Sequence, residues 1–553
     1  MNPFHLRQVL LCIGSGLLSA LAFSTHSTAW LVWVSFVPWL YVLFRQQDLL
    51  QAQAVSRWSQ AKCFALFSWL FGMGFYIGVI HWLKELHPLT WLPGVTPSIS
   101  LLIVYGGIFG ISLFVSLWLG LFGAVLGALK PTGVRRVLYP AILWMGMESL
   151  QAMGQMSLPW ARLAVSQYRN LWLLQIVPHT GQLIIGALII AFNAALARFV
   201  LSFGPDQNPK NYWHYPGFRS GLAVVSTIGI LLAYGSARLK YHPVPAPATD
   251  DVQIAVAQGN IPQGQKWTAD NYWEQMSGIF GIYQKESRNI LKQTPEDRID
   301  LLIWPESALP LSLRRVDVYR EAFGKIARDS GGYFISGTFD QESRESPVYN
   351  AAALFSPQGE LSQWYYKRQL VPFGEFFPYR QFLEGIPGLG ALIQQLNPMN
   401  HDTAAGQDAA LFQTPFAQVG TLICFESVYP EVARSSVRSG AELLAVITND
   451  GWYRDAIALY QHLGHAVLRS LENQRYLARS GNTGISAFID PYGRILNQSL
   501  PMDRTALTRG VPRAALKNQP LTLYTRFGDW ILWVGLLTLI GLEIRRSVAP
   551  SRG

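Results

Sequence analysis

The sequence predicts a polytopic α-helical membrane domain joined to an α/β catalytic domain, and three observations predict it. Half of the 553 residues are hydrophobic and only 14% are charged, an unusual balance for a chain without membrane segments. Apolar stretches of about 17 to 25 residues, the length that crosses a bilayer, recur through the first 237 residues. After residue 250 short β-rich runs alternate with helical ones instead.

The apolar runs lie near residues 8–25, 29–44, 63–83, 100–127, 137–152, 171–197 and 220–237, with a last one near 527–544. They predict a membrane domain over residues 1–241 with seven transmembrane helices, an extracytoplasmic domain over 242–522, and an eighth helix and cytoplasmic tail over 523–553. A cleaved signal peptide is the alternative for the first run, although the next follows almost at once. Orientation comes from Lys and Arg in alternate short loops. Arg7, Arg45, Arg57, Lys62, Lys130, Arg135, Arg136, Arg198, Lys210, Arg219, Arg545, Arg546 and Arg552 fall in one set; Lys84, Arg162 and Arg169 fall in the other. The richer set is cytoplasmic, which places both termini inside.

Charge agrees with this division. Residues 250–522 hold 25 Lys and Arg against 28 Asp and Glu, so the net +10 of the chain resides in membrane-flanking loops. No basic stripe interleaved with aromatics appears in the middle region, and nucleic acid is set aside as a partner. Three cysteines, Cys12, Cys63 and Cys424, are too few and too scattered for a disulfide framework. In the membrane runs Glu148 is nearly alone as a buried charge, unlike the charged helices of ion-coupled transporters.

The linker His242-Pro243-Val244-Pro245-Ala246-Pro247 is stiff and extended. Beyond it, strands are expected at 252–258, 301–304, 333–337, 351–355, 419–425, 443–448 and 485–490, and helices near 271–292, 316–329 and 457–479. Ser356-Pro357-Gln358-Gly359 and Asp490-Pro491-Tyr492-Gly493 read as hairpin turns. The stretch Phe376 to Met399 is apolar but broken by Pro378, Gly385, Pro387, Gly388 and Gly390. It reads as a membrane-facing lid, or as a packed insertion.

Three motifs carry chemistry: Trp304-Pro305-Glu306-Ser307, Tyr366-Lys367 running into Pro372-Phe373-Gly374-Glu375, and Ile423-Cys424-Phe425-Glu426. Each sets a reactive group at or near the end of an apolar run, where strand ends converge on one pocket. A thiol needs a base or a neighbouring cation to become a nucleophile. Singly, each residue has an ordinary alternative: Cys424 a small buried hydrophobe, Glu306 a salt-bridged strand end, Lys367 a solvated lysine beside Arg368, itself read as surface. No Walker, Rossmann or zinc signature is present, His462 and His465 lack convergent carboxylates for metal ligation, and no metal or cofactor is expected.

The order Glu, Lys, Cys with these neighbours resembles the nitrilase (carbon–nitrogen hydrolase) superfamily. With Gln258-Gly259-Asn260-Ile261-Pro262 and the membrane runs, nearly the whole chain is similar to the apolipoprotein N-acyltransferase family. The resemblance implies a four-layer αββα sandwich for the catalytic domain. It implies Glu306 as general base, Lys367 as the cation facing the oxyanion with the Phe425 N–H, and Cys424 as nucleophile. Glu375 and Glu426 would position these groups or form structural ion pairs. Phe425 stands where the family more usually has Tyr. Trp267 matches an aromatic beside the acyl chain, with a core tryptophan as the alternative. Asn350 and the Asn449-Asp450-Gly451-Trp452 turn would support the pocket. The implied reaction moves an acyl chain from a phosphatidylethanolamine-like phospholipid, through a Cys424 thioester, to the α-amine of a diacylglyceryl-cysteine lipoprotein. The expected setting is the bacterial inner membrane, with the catalytic domain on its periplasmic face and the chain a monomer. The alternatives are a membrane-anchored nitrilase-type amidohydrolase and a non-catalytic lipid-binding or transport protein.

Overall fold

A computed structural model describes residues 3–53, 55–89, 94–203, 216–266, 271–294, 298–386, 402–454 and 456–548. The chain forms two compact units: Met1–Lys84, Ile103–His242 and Phe527–Gly553 make the first, and Glu85–Leu102 with Pro243–Arg526 the second.

Among the described residues, six helical segments of the chain are long and apolar enough to cross a membrane: Leu6–Phe23, His26–Ala52, Arg57–Leu86, Pro97–Leu129, Leu183–Leu201 and Gly217–Tyr241. The expected run 137–152 is the 16-residue helix Arg135–Leu150, and the run 527–544 is the 19-residue helix Trp530–Val548. Together with the helix Leu183–Leu201, these two bury Ala141, Ile142, Met145, Leu183, Ala187 and Leu532. The run 171–197 is not one helix. Short turns at Leu171–Leu174 and Val177–Thr180 precede a break at Gly181 (φ +77°), and the long helix begins only at Leu183. Glycine lets two other helices meet closely: a Cβ on Gly16 would strike the Phe71 carbonyl, and one on Gly74 the Ile13 carbonyl.

The second unit contains β1 (Val252–Gln258), β2 (Leu301–Ile303), β3 (Tyr333–Asp340), β4 (Tyr349–Phe355), β5 (Leu361–Tyr366), β6 (Leu411–Gln413), β7 (Gln418–Ile423), β8 (Leu443–Thr448), β9 (Tyr476–Gly481), β10 (Ala487–Ile489), β11 (Ile495–Gln498) and β12 (Thr505–Val511). They form two six-stranded sheets, ordered β12-β1-β2-β3-β4-β5 and β11-β10-β9-β8-β7-β6. In each sheet three central strands are parallel, β1–β3 in one and β7–β9 in the other. The sheets pack face to face. Val252, Ile254, Val256, Leu301 and Ile303 share a core with Val419, Ile423, Leu443, Ala445 and Ile447. The outer face of the first sheet is covered by the helices Tyr272–Leu291 and Asp317–Ser330, through Met276, Ile279, Tyr283, Phe323 and Ile326. The helices Pro430–Arg438 and Ala458–Asn473 cover the second. This is the four-layer αββα arrangement.

Both expected hairpin turns form, closed by Ser356 N–H to Glu360 O at 2.9 Å and Asp490 N–H to Arg494 O at 3.0 Å. Gly359 (φ +83°) and Gly493 (φ +79°) take the left-handed position each turn requires. Two expected boundaries need correction. The helix predicted to reach 479 ends at Asn473 with Gln474 left-handed (φ +49°), and Tyr476–Gly481 is the fully buried strand β9. A strand covered on both faces lacks the alternation that reveals a strand. The strand predicted to reach 425 stops at Ile423, because Cys424 turns left-handed.

Candidate active site

β1, β2, β3 and β5 run in one direction, as do β7, β8 and β9. Glu306, just beyond β2, and Lys367, which follows β5, therefore lie at the same, carboxyl end of the first sheet's strands. Cys424 follows β7 and Asn449 follows β8, at the carboxyl end of the second sheet's parallel strands. Ligands and reactive groups gather at such carboxyl ends because the side chains there are no longer committed to the sheet. Trp304 anchors its motif: the ring is fully buried, stacks on Tyr283 at 5.0 Å and donates from Nε1 to Ser287 Oγ at 2.9 Å. Beyond it the chain turns sharply at Ser307 (φ +45°). The turn lies so close to β3 that a Cβ on Gly337 would come within 2.5 Å of Glu306 Cα, so glycine is required there.

The Lys367 ammonium, 1% exposed, donates to Glu375 Oε1 at 2.9 Å and Glu306 Oε1 at 3.2 Å. Asn350 Nδ2 bridges the same two oxygens, at 2.7 Å to Glu375 and 2.8 Å to Glu306. The second oxygens are also held: Asn449 N–H donates to Glu306 Oε2 at 2.9 Å, and Val371 N–H to Glu375 Oε2 at 2.8 Å. Burial disfavours the Lys367 charge, but Glu306, Glu375 and Cys424 outweigh it and raise its pKa above the ordinary lysine range. For Cys424 burial dominates in the other sense. Burial, the Glu306 carboxylate and the Asp450 carboxylate push the thiol well above its usual value, against the opposing pull of Lys367 and of a side-chain hydrogen bond with Thr448. The resting sulfur is a protonated thiol with a carboxylate and an ammonium acting on it, so its proton must leave as it attacks.

Glu426 is fully buried and ties the nucleophile's turn to the lysine's strand. It accepts from Ile423 N–H at 2.6 Å on one side, and from Arg368 N–H at 2.7 Å and the Tyr365 hydroxyl at 2.9 Å on the other. Burial raises its pKa, opposed by those backbone donors and by the charges of Arg368 and Lys367. Arg368, expected at the surface, is instead half-buried and clamps this junction. Its guanidinium donates to Tyr365 Oη at 3.3 Å, Ser435 Oγ at 3.0 Å and Val432 O at 3.1 Å. These contacts tie Arg368 to the helix Pro430–Arg438. Phe425 is buried edge-on to Tyr429, with ring centres 5.2 Å apart.

Among the buried charges not singled out from the sequence, one lies beside the site. Lys266, 1% exposed, donates to Ser307 O at 3.0 Å. Burial pushes its pKa down to about 7, with Glu306 pulling the other way. In the sequence it is a lone lysine in the polar stretch Gln263-Gly264-Gln265, and nothing local reveals that it is buried. Trp267, next to it, lies outside the described residues, as does the part of the expected lid from Pro387 onward. The described part of that segment exposes Tyr379 and Phe382.

Comparison with known proteins extends this geometry. Residues 253–518 match the carbon-nitrogen hydrolase family model, and residues 15–195 match that of the apolipoprotein N-acyltransferase N-terminal domain. An apolipoprotein N-acyltransferase of Geobacter metallireducens is 30% identical over 98% of this chain and 96% of its own length. The chain belongs to the apolipoprotein N-acyltransferase family. It is accordingly an enzyme of the acyltransferase class in a bacterial membrane. A second family member, from Gloeobacter violaceus, is 31% identical over 99% of this chain and 95% of its own. Among solved structures, an amidase of the nitrilase superfamily from Nesterenkonia aligns with 53% of this chain and 100% of its own, at 19% identity and a TM-score of 0.37.

Proposed function

We propose that this protein N-acylates lipoproteins, moving an acyl chain from a phosphatidylethanolamine-like phospholipid through Cys424 to the α-amine of an N-terminal diacylglyceryl-cysteine. One observation carries the chemistry: Lys367 Nζ is held between Glu306 and Glu375, and Glu306 and Lys367 both act on a buried thiol. In the first half-reaction Glu306 takes the Cys424 proton while Sγ attacks the ester carbonyl carbon. Lys367 has three N–H bonds and gives two to carboxylates, so the third, with the Phe425 N–H, serves the oxyanion. Collapse breaks the ester C–O bond, and Glu306 returns the proton to the departing lysophospholipid alkoxide. In the second half-reaction the lipoprotein amine attacks the thioester, Glu306 takes the amine proton, and the C–S bond breaks. The proton then returns to the Cys424 thiolate.

Glu375, Asn350 and Glu426 act as positioning residues in this scheme, and Phe425 walls the acyl pocket. The excess of Lys and Arg in one set of loops supports residues 242–522 lying on the extracytoplasmic face of the inner membrane, between seven helices in 1–241 and one in 523–553. The exposed aromatics Tyr379 and Phe382 support a membrane-facing segment after Glu375. A monomer has everything the scheme requires.

The test is intact-mass spectrometry of the purified protein after incubation with phosphatidylethanolamine, beside Cys424→Ala. The expected result is an acyl-sized increase in the wild type alone, discharged by a diacylglyceryl-cysteine peptide and not by water. Discharge by water at the same rate would make the protein a hydrolase.

A further inference from the structure

The mechanism leaves a second cluster of buried charge unused. Asp450, His462, Arg479 and Ser427 are each 0% exposed. The Asp450 carboxylate receives three groups: His462 Nδ1 at 2.9 Å, Thr448 Oγ1 at 2.8 Å and Arg479 Nη2 at 2.7 Å. It lies so close to Gly484 that any Cβ there would collide with it. Burial raises the Asp450 pKa, but His462 and Arg479 outweigh burial and hold it below the ordinary range.

The cluster reaches the nucleophile. His462 Nε2 lies 3.1 Å from the Cys424 carbonyl oxygen and 2.9 Å from Ser427 Oγ, and Ser427 Oγ donates to the same carbonyl at 2.9 Å. Cys424 needs such support, because φ +53° puts a residue with a side chain in the left-handed region, a strain that its neighbours must hold. The Cys424 carbonyl belongs to the same peptide plane as the Phe425 N–H, so whatever fixes the one aims the other. The cluster also reaches the base: Asn449, between Thr448 and Asp450, gives its N–H to Glu306 Oε2 at 2.9 Å. The turn Thr448-Asn449-Asp450 at the end of β8 thus touches both Glu306 and, through His462, the Cys424 peptide.

We propose that Asp450 and His462 are positioning residues that hold the Cys424–Phe425 peptide in register with Glu306, and that Arg479 holds Asp450. Their contribution is to aim the oxyanion-binding N–H; they do not activate the sulfur. The proposal rests on Cys424 being the acylated nucleophile, and the test separates the two claims by using p-nitrophenyl octanoate, an activated ester that acylates a thiol whatever the natural donor.

Full-length protein in detergent is compared as wild type, Asp450→Asn, His462→Phe and His462→Gln. The nitrophenolate burst reads acylation, iodoacetamide reads the bare reactivity of Cys424, and thermal melting reads the fold. The expected result is a burst rate down about 100-fold at unchanged KM in Asp450→Asn and His462→Phe, with alkylation within threefold of wild type. At least tenfold of the loss is recovered in His462→Gln, which restores a side-chain N–H. Merely structural damage would expose the thiol and raise alkylation. A burst within threefold of wild type in either folded variant overturns the proposal, as does a parallel fall of burst and alkylation. Unfolding of all three variants also overturns it, since the cluster would then hold the domain and not one peptide. A wild type acylated by the nitrophenyl ester and not by phospholipid would count against the proposed donor alone.

Discussion

Two buried charge clusters stand at the carboxyl ends of the strands, and they differ in how completely their charges are compensated. Around Lys367 the ammonium meets two carboxylates, Glu306 and Glu375, while Cys424 remains a thiol because Glu306 and burial both oppose its thiolate. Around Asp450 a single carboxylate receives His462, Arg479 and Thr448 at 2.7 to 2.9 Å. Burying charge is expensive wherever it occurs, and full pairing makes it rigid, whereas an imbalance leaves a group ready to exchange a proton. The first cluster has the imbalance that chemistry needs, and the second the rigidity that aims it.

The most severe way to break the first cluster is to remove its cation. Lys367→Met leaves the buried Glu306 and the partly buried Glu375 facing each other without a cation, so acyl-enzyme formation, followed by intact mass, should fall roughly a thousandfold. A fall of less than tenfold would mean that the oxyanion is served from elsewhere. Next is the link between the two sheets: Ile423 and Arg368 donate to different oxygens of Glu426, so Glu426→Gln loses the charge and one of the two acceptors, and should slow acylation by about 10- to 100-fold with little change in KM. Unchanged acylation would assign Glu426 to the fold alone.

Gly337→Ala tests how tightly Glu306 is placed. A methyl group 2.5 Å from its Cα must push the turn away, destabilising the protein by about 1–3 kcal/mol and slowing acylation more than it alters thiol alkylation. The smallest effect concerns Lys266. Its pKa, about 7 in the fold against 10.5 free, means that between those values the unfolded chain binds a proton that the folded one has released. Stability from this group therefore rises with pH from about 7 to 10.5. Lys266→Met should remove that rise from the melting curve against pH; an unaltered slope would mean the amine stays charged in the fold.

How much was legible follows from burial. The central strands β1 and β8 have the limits expected from their apolar runs, Val252–Gln258 and Leu443–Thr448. The strands not foreseen are β9 and the four sheet edges, β5, β6, β11 and β12. The edges are only partly buried, so hydrophobic patterning is weak there. Glu306, Lys367 and Cys424 stood out because each ends or closely follows an apolar run. Lys266 and Arg368 did not, since a lysine or arginine in a polar stretch looks solvated until a distant part of the chain covers it.

By itself, then, the sequence determined the division into apolar helices and an α/β unit, the excess of basic residues in alternate loops, and the three motifs with their chemistry. Those are properties of neighbouring residues, carried by composition and period. Only the tertiary structure decided that Asn350 bridges Glu306 and Glu375, that Glu426 joins Ile423 to Arg368, and that Asp450 reaches Cys424 through His462. These contacts join groups up to 58 residues apart in the chain, and a hydrogen bond of 3 Å depends on strand order and register, which no local pattern encodes.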